Sequence, residues 1–181
     1  QLQAIIPTVT DALGQPDILV NNAGIVDAEH ATRMSIELVD DVLDTNLRSV
    51  FILSNEFARP LISAKMPGRI VNIASIAATS YGGNGAALYS ITKAGVVRVT
   101  ETLAVEWSKF HINVNGIAPG LFATDMADGM VERAGKFYEQ FPRRRIAQPE
   151  QMDSTLLYLV SPSSDAVTGT VIKIDDGQGS R

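Results

Sequence analysis

Three short apolar stretches, each ending in small or polar residues, limit most strongly what this chain can fold into. They run from Asp17 to Gly24, from Gly68 to Ser75 and from His111 to Gly120, with helical patterns between them. Continuous apolar runs of this length are typical of strands buried on both faces, as in a parallel sheet. A last strand is expected from Val171 to Ile174. The alternation of strands and helices predicts an α/β fold with a mainly parallel sheet, in which ligands bind beyond the carboxyl ends of the strands.

The first half of the chain carries two helical patterns. Apolar residues recur at helical intervals from Leu2 to Leu13. Ser35 is placed to cap a second helix, whose pattern runs on to Leu53. That pattern is too long for one ordinary helix, so we expect a break near Thr45 and Asn46.

The second half of the chain carries three more helical patterns. The first runs from about Leu88 to Phe110, the second begins after Thr124, and the third runs from Pro149 to Val160. Thr124 is a good capping residue, and proline is favoured at the first helical position. The polar, methionine-containing stretch from Asp125 to Gln148 is predicted to be an irregular, movable lid over a site.

Composition indicates one globular domain and argues against several kinds of partner. The 181 residues are 45% hydrophobic, enough for one domain over positions 1–181 with a sizeable core. Fifteen basic against 20 acidic residues give a net charge of −5, which argues against nucleic-acid binding. No apolar run is long enough to cross a membrane. Without cysteine and with two separated histidines, the chain is expected to hold no metal and to suit a cytoplasmic location.

Tyr89 and Lys93 form a candidate catalytic pair, because they lie four residues apart in a helical pattern. This spacing puts the phenol and the ammonium on one helix face. A nearby cation favours the phenolate, so the pKa of Tyr89 is expected below its usual value of about 10, which would suit acid–base work near neutral pH. Taken alone, the pair is better explained by two amphipathic side chains on a solvated face.

Two further polar residues also have an ordinary explanation when each is taken alone. Ser75 ends a strand, where serine usually forms a turn or a cap. Asn46 interrupts an apolar helical stretch, where its amide is either satisfied locally or holds a ligand or a water.

In combination, these residues resemble the short-chain dehydrogenase/reductase family in order, spacing and element context. The resemblance extends over nearly the whole chain. Within the family it is closest to the reductases and dehydrogenases of 3-oxoacyl thioesters, simple sugars and secondary alcohols. The segments that carry it are Asn21-Asn22-Ala23-Gly24, Asn46, Ser75, Tyr89-Ser90-Ile91-Thr92-Lys93 and Pro119-Gly120 with Thr124.

The resemblance implies a Rossmann-like, three-layer, doubly wound sheet and hydride transfer between NAD or NADP and a small-molecule carbonyl or secondary alcohol. Tyr89 would exchange a proton with the substrate oxygen, and Ser75 would hydrogen-bond that oxygen. Lys93 would lower the pKa of Tyr89 and hold the nicotinamide ribose, and Asn46 would hold a water that connects Lys93 to solvent. The implied cofactor-binding residues are Asn22, Ala23, Gly24, Tyr89, Lys93, Pro119, Gly120, Phe122 and Thr124.

Members of this family begin with a strand, a Gly-rich turn and a helix that cradle the pyrophosphate, and the sequence shows no such pattern. We therefore expect an N-terminally truncated domain, the C-terminal part of a longer one that has roughly 60 to 80 more residues. The strand from Ile18 to Val20 would then have an open apolar edge. Helical faces within 46–62 and 88–110 suggest a homo-oligomer, either a dimer or a tetramer.

Two other functions stay open on the sequence. A truncated, catalytically inactive relative could persist as an interaction or structural module, although all four presumed catalytic residues are present. A hydrolase that uses Ser75 is a weaker hypothesis, because Ser75 lacks the Gly-x-Ser-x-Gly turn and no histidine lies in a nucleophile–base motif.

Overall fold

The computed structural model describes residues 1–83 and 85–179, which form a parallel sheet with helices on both faces. The rest of the predicted domain, position 84 and positions 180–181, lies outside the described residues. The strands, adjacent in chain order, are β1 (Ile18–Asn21), β2 (Gly68–Ile73), β3 (Ile112–Pro119) and β4 (Val171–Ile174). The helices are α1 (Leu2–Leu13), α2 (Ile36–Leu43), α3 (Ser49–Ala64), α4 (Ala87–Trp107), α5 (Asp125–Ala134) and α6 (Asp153–Val160).

Neighbouring residues of the strands pack against helices on opposite faces of the sheet. Ile70 of β2 packs in a core with α1, α3 and α4 that includes the fully buried Phe57. Val71 and Ile117 pack on the other face against Leu159 of α6. The predicted Rossmann-like, three-layer α/β arrangement is therefore confirmed.

A set of buried amides and hydroxyls joins the sheet to α3 and α4. Asn21 Nδ2 donates to Asn72 Oδ1 at 2.8 Å and to Ser54 Oγ at 3.1 Å. Asn72 Nδ2 donates in turn to Thr100 Oγ1 at 3.0 Å. Buried polar groups are tolerated when they are hydrogen-bonded, so these bonds hold β1 and β2 against the two helices.

The helical pattern that begins after Ser35 is broken where the sequence predicts. Ser35 Oγ accepts from Leu38 N at 3.1 Å and caps α2. A π-helical turn over Asp44–Arg48 joins α2 to α3, and Asn46 lies within it, fully buried. Single π-helical turns of this kind are frequent at functional sites.

Helix α5 corrects the prediction for the segment after β3. Thr124 caps this helix as predicted, with Oγ1 accepting from Ala127 N at 3.4 Å. The prediction of an irregular segment over 125–148 is wrong for its first ten residues, which form α5. Asp125 and Asp128 lie in the first turn, where carboxylates stabilise the helix N-terminus despite the polar composition.

Strand β1 lies at the edge of the sheet. In the described part of the chain it pairs with β2 alone. Ile18 and Val20 are 43% and 37% exposed. The open, apolar edge expected from the sequence is therefore present.

Candidate active site

The carboxyl ends of the strands open into a cavity of about 370 Å³, where most of the predicted site residues meet. The loop after β1, the end of β2 and the start of α4 line one part of it. The loop after β3, α5 and the C-terminal turn line the rest. Among the predicted residues, Ala23 and Asn46 lie outside the lining. Those that line the cavity are Asn22, Gly24, Ser75, Tyr89, Lys93, Pro119, Gly120, Phe122 and Thr124.

Ser75 lies where β2 ends, beside Tyr89. Its Oγ accepts from Ala77 N at 3.1 Å and caps the 3₁₀ turn Ile76–Ala78. Ser90 Oγ donates to Ala77 O at 2.6 Å and ties this turn to α4. Ser75 thus has the capping role that its position suggests, and it also lies close enough to the Tyr89 side chain to act on the pKa of the phenol.

Lys93 lies one helical turn after Tyr89 and is 4% exposed. Its Nζ donates to Ile73 O at 2.8 Å and lies 5.6 Å from the centroid of the Tyr89 ring. Burial lowers the pKa of Lys93 to about 8, because a charged ammonium is disfavoured away from water. The bond to Ile73 fixes this ammonium at the end of β2.

The pKa of Tyr89 departs in the direction opposite to the sequence prediction. Burial raises the pKa of Tyr89 above its usual value, and the hydrogen bond with Ser75 only partly opposes this effect. The expected lowering is therefore wrong. Desolvation disfavours the phenolate, and the Lys93 ammonium donates to Ile73 O.

Asn46 is 0% exposed and lies behind the cavity. Its Oδ1 accepts from Ile25 N and its Nδ2 donates to Ile25 O, both at 2.8 Å. Nδ2 also lies 3.2 Å from Thr92 Oγ1 on α4. The Asn46 amide therefore fixes the loop after β1 against α4, and its partners are distant in sequence rather than local.

Two glycines bring backbone close to polar side chains of the site. A Cβ at Gly24 would lie 3.3 Å from Lys93 Nζ and 3.5 Å from Asn46 Oδ1. A Cβ at Gly120 would lie 2.5 Å from Gln178 Oε1, so any side chain there would displace the C-terminal turn. Because glycine has no side chain, the backbone at these two positions can come close to Lys93 and Gln178.

Gln178 is a site residue that sequence reasoning missed. Its Oε1 accepts from Leu121 N at 2.8 Å, which fixes the orientation of the amide. Its Nε2 is buried and has no hydrogen-bond partner among the described residues. The sequence does carry a signal for Gln178: the ending Asp175-Asp176-Gly177-Gln178-Gly179 differs from the Asp-Gly-Gly that is usual in the family.

The described residues offer neither a cluster of metal ligands nor a membrane-spanning helix. Residues 1–83 and 85–179 contain no group of three or more His, Cys, Asp or Glu side chains placed to hold a metal ion. Within the same ranges, no helix combines the length and the apolar character needed to cross a membrane.

Similar sequences place these features in one family. A family model described as enoyl-(acyl carrier protein) reductase matches residues 1–178. A 2-dehydro-3-deoxy-D-gluconate 5-dehydrogenase of Dickeya dadantii is 37% identical over 177 residues, which are 96% of this chain and 70% of that protein. The 3-oxoacyl-(acyl-carrier-protein) reductase FabG of Vibrio cholerae is 36% identical over 177 residues, which are 97% of this chain and 72% of that protein.

Solved structures agree with this grouping. A short-chain type dehydrogenase/reductase from Mycobacterium marinum has a TM-score of 0.93 and 31% identity, covering 98% of this chain and 70% of that one. A gluconate 5-dehydrogenase from Burkholderia cenocepacia in complex with NADP and tartrate has a TM-score of 0.91 and 29% identity, with coverages of 98% and 70%. A 4-hydroxyisoleucine dehydrogenase complexed with NADH has a TM-score of 0.85 and 30% identity, with coverages of 98% and 77%. Because the family model spans nearly the whole chain and both relatives exceed 30% identity over it, the chain belongs to the short-chain dehydrogenase/reductase family.

Proposed function

We propose that this chain is an NAD- or NADP-dependent oxidoreductase that transfers hydride between the nicotinamide and a small-molecule carbonyl or secondary alcohol. The observation that carries the proposal is the grouping of Ser75, Tyr89 and Lys93 at the carboxyl end of β2, where all three line one cavity. An oxidoreductase needs a proton donor and acceptor beside the reacting oxygen, and this grouping provides one. The names of the relatives as dehydrogenases and reductases support it.

The cavity has groups that can hold the nicotinamide end of a nicotinamide dinucleotide. Lys93 is among the lining residues, and the buried Gln178 Nε2 is a donor that a ligand's oxygen can satisfy. Similar structures contain NADP or NADH. When bound, the nicotinamide supplies or accepts the hydride. On this basis we assign Asn22, Ala23 and Gly24 to the adenosine side, and Pro119, Gly120, Phe122 and Thr124 to the nicotinamide side.

The protein's part in the reaction is to hold and move a proton. Tyr89, whose pKa is raised by burial, carries its proton at neutral pH and donates it to the substrate oxygen during reduction. Ser75 hydrogen-bonds the same oxygen, and Lys93 Nζ binds the ribose hydroxyls. Asn46 Oδ1 accepts one bond from Ile25 N, and its second lone pair can hold a water that connects Lys93 to solvent.

The proposal is tested by Tyr89→Phe, measured as NADH or NADPH turnover against a panel of small ketones. Loss of the proton donor is expected to lower kcat by about 10²–10⁴-fold. Cofactor binding, followed by calorimetry, should change little. Tyr158→Phe, at an exposed tyrosine on α6, is the matched control and should keep full activity. A Tyr89→Phe protein that retains more than a tenth of the activity would contradict the role of Tyr89.

A second function is that of an inactive relative acting as an interaction module. Titration with NADH and NADPH separates the two functions. Saturable binding at micromolar concentration supports the enzyme, whereas no binding up to millimolar concentration supports the module.

The proposal includes a homo-oligomer, either a dimer or a tetramer. An apolar groove of about 630 Å³ lies between the α2–α3 segment and α4 and includes Leu47 and the half-exposed Phe51. Asp44 and Arg98 are also among its lining residues, so the groove carries charges of both signs. Such a surface can be complementary to a second copy of itself across a two-fold axis.

A further inference from the structure

The part of the cavity formed by α5 and the loop after it is apolar. Met126 and Met130 lie one turn apart on α5, and both line the cavity. Phe137 and Phe141 line it too and contact each other edge to face, with ring centroids 5.7 Å apart. Met152 adds a third thioether. This group, which we call the methionine–phenylalanine wall, belongs to the same cavity as Tyr89.

Charged groups are nearly absent from the lining. Lys93 is the only charged side chain among the described lining residues, and its Nζ donates to Ile73 O. Two of the three arginines after Phe141 are engaged elsewhere, since Arg145 Nε donates to Asp176 Oδ2 at 2.6 Å and Arg143 lies 3.2 Å from Asp176 Oδ1, and none of the three lines the cavity. A carboxylate or phosphate placed against the wall would therefore meet no cation and would lose its hydration.

We propose that the substrate is an uncharged ketone or secondary alcohol whose apolar arm lies against the methionine–phenylalanine wall. This inference rests on the proposed function and names the substrate class for the same site. Removing apolar surface from water stabilises the bound arm, and thioethers adapt to arms of different shape. Sugar acids, with a carboxylate and several hydroxyls, are the class that the wall excludes.

Binding of a homologous series tests the proposal without requiring turnover. The chain is titrated with 2-butanone, 2-hexanone and 2-octanone, and with D-gluconate as the charged, hydroxyl-rich probe, by ligand-observed NMR. Affinity is expected to rise about fourfold per added methylene, which corresponds to ~0.8 kcal/mol. D-gluconate is expected to bind more weakly than 2-octanone by at least 100-fold. An affinity that does not change with chain length, or tighter binding of D-gluconate, would overturn the proposal.

Two variants locate the arm. Met130→Gln keeps the length of the side chain but makes it polar. It should weaken the binding of 2-octanone by about tenfold and change the binding of 2-butanone little. Met130→Leu should keep the affinity of the original protein. Leu157→Gln is the matched control, at a residue of α6 that is 65% exposed and outside the cavity lining. If Met130→Gln and Leu157→Gln lose affinity for 2-octanone equally, the arm does not bind at the wall.

Turnover with the same compounds separates this inference from the proposed function. If ketones bind with the expected slope but no hydride is transferred, the wall stands as a binding surface for apolar arms and the oxidoreductase proposal fails. If hydride is transferred to or from sugar acids in preference to 2-octanone, the oxidoreductase proposal stands and the substrate class is overturned. Binding of neither class would also overturn it.

Discussion

For the residues of the candidate site, burial has more effect than charge on proton affinity. It raises the pKa of Tyr89 and lowers that of Lys93 to about 8, so near neutral pH Tyr89 is protonated and Lys93 keeps its charge. A protonated Tyr89 is the form that donates to a carbonyl oxygen. The arrangement therefore suits reduction near neutral pH, and alcohol oxidation should require a higher pH.

Lys93 should make stability depend on pH. In the unfolded chain its pKa is near the usual 10.5, whereas in the folded chain it is about 8. Between these values the unfolded chain holds more protons, so the free energy of unfolding should rise with pH, by on the order of 2 kcal/mol between pH 8 and 10. Urea unfolding at several pH values measures this rise.

The Lys93 prediction has a matched pair of variants. Lys93→Met removes the titrating group and should abolish most of the rise, while Lys136→Met, at an exposed lysine, should preserve it. A full rise in Lys93→Met would assign the pH dependence to other groups.

Asn46 should matter for stability as well as for any proton path. Asn46→Ala removes the partners of Ile25 N and Ile25 O, and unpaired buried backbone groups cost about 1–3 kcal/mol each. We expect a loss of roughly 3 kcal/mol in denaturant unfolding. Asn55→Ala, whose amide bonds only Phe51 O within its own helix, should cost less than ~1 kcal/mol. Equal costs would show that the bonds to Ile25 are dispensable.

The four-residue spacing predicted that Tyr89 and Lys93 share one helix face. Their grouping with Ser75 was expected only because the order of these residues resembles the short-chain dehydrogenase/reductase family. The pKa of Tyr89 could not be predicted, because it depends on how deeply the fold buries the ring. Gln178 was missed because its partner, Leu121 N, lies 57 positions earlier in the chain.

Among the helices and strands, the break at Asp44–Arg48 and the last strand were predicted because each has a strong local signal. The overlong helical pattern contained a poor helix former, and Thr168-Gly169-Thr170 preceded β4. Helix α5 was expected to be irregular because four charged residues and Gly129 interrupt its apolar ones. The cavity that Met126 and Met130 line is formed with distant segments.

The start of α4, which carries Tyr89, depends on a cap from outside the helix. Ala86 has no side chain that could accept a hydrogen bond, and the described structure supplies Asp27 instead. Asp27 is 6% exposed, and its Oδ2 accepts from Leu88 N at 3.1 Å. A carboxylate at a helix N-terminus satisfies a free N–H and also interacts favourably with the helix dipole.

Asp27→Ala should therefore lower both stability and turnover. The expected cost is about 1 kcal/mol in urea unfolding, and kcat should fall more than the affinity for the cofactor because Tyr89 lies in the first turn. Asp27→Asn retains an acceptor and should recover most of both quantities. Asp41→Ala, at an exposed carboxylate on α2, serves as the control. If Asp27→Asn loses as much as Asp27→Ala, the charge or another contact matters more than the cap.

At the scale of the whole molecule, the cavity and the apolar groove are two separate surfaces. The cavity lies at the carboxyl ends of the strands, whereas the apolar groove lies between α4 and the α2–α3 segment. The π-helical turn connects them, because Asn46 faces the loop beside the cavity while Leu47 and Arg48 line the groove. A second copy bound at the groove would thus contact the π-helical turn that contains Asn46.

The groove gives the last prediction, which concerns self-association. Phe51 lines the groove and is 50% exposed, so burying the exposed half of its ring against a second copy would stabilise a dimer by about 1 kcal/mol per ring. Phe51→Glu should shift the chain towards monomer in sedimentation velocity at micromolar concentration, with unchanged circular dichroism. Leu157→Glu, an equally drastic change at an exposed residue outside the groove, should leave the distribution as it was. The groove is not the contact surface if the original chain is a monomer at all concentrations. The same holds if the Phe51→Glu protein associates as strongly as the original chain. The edge of β1 is then the next surface to test.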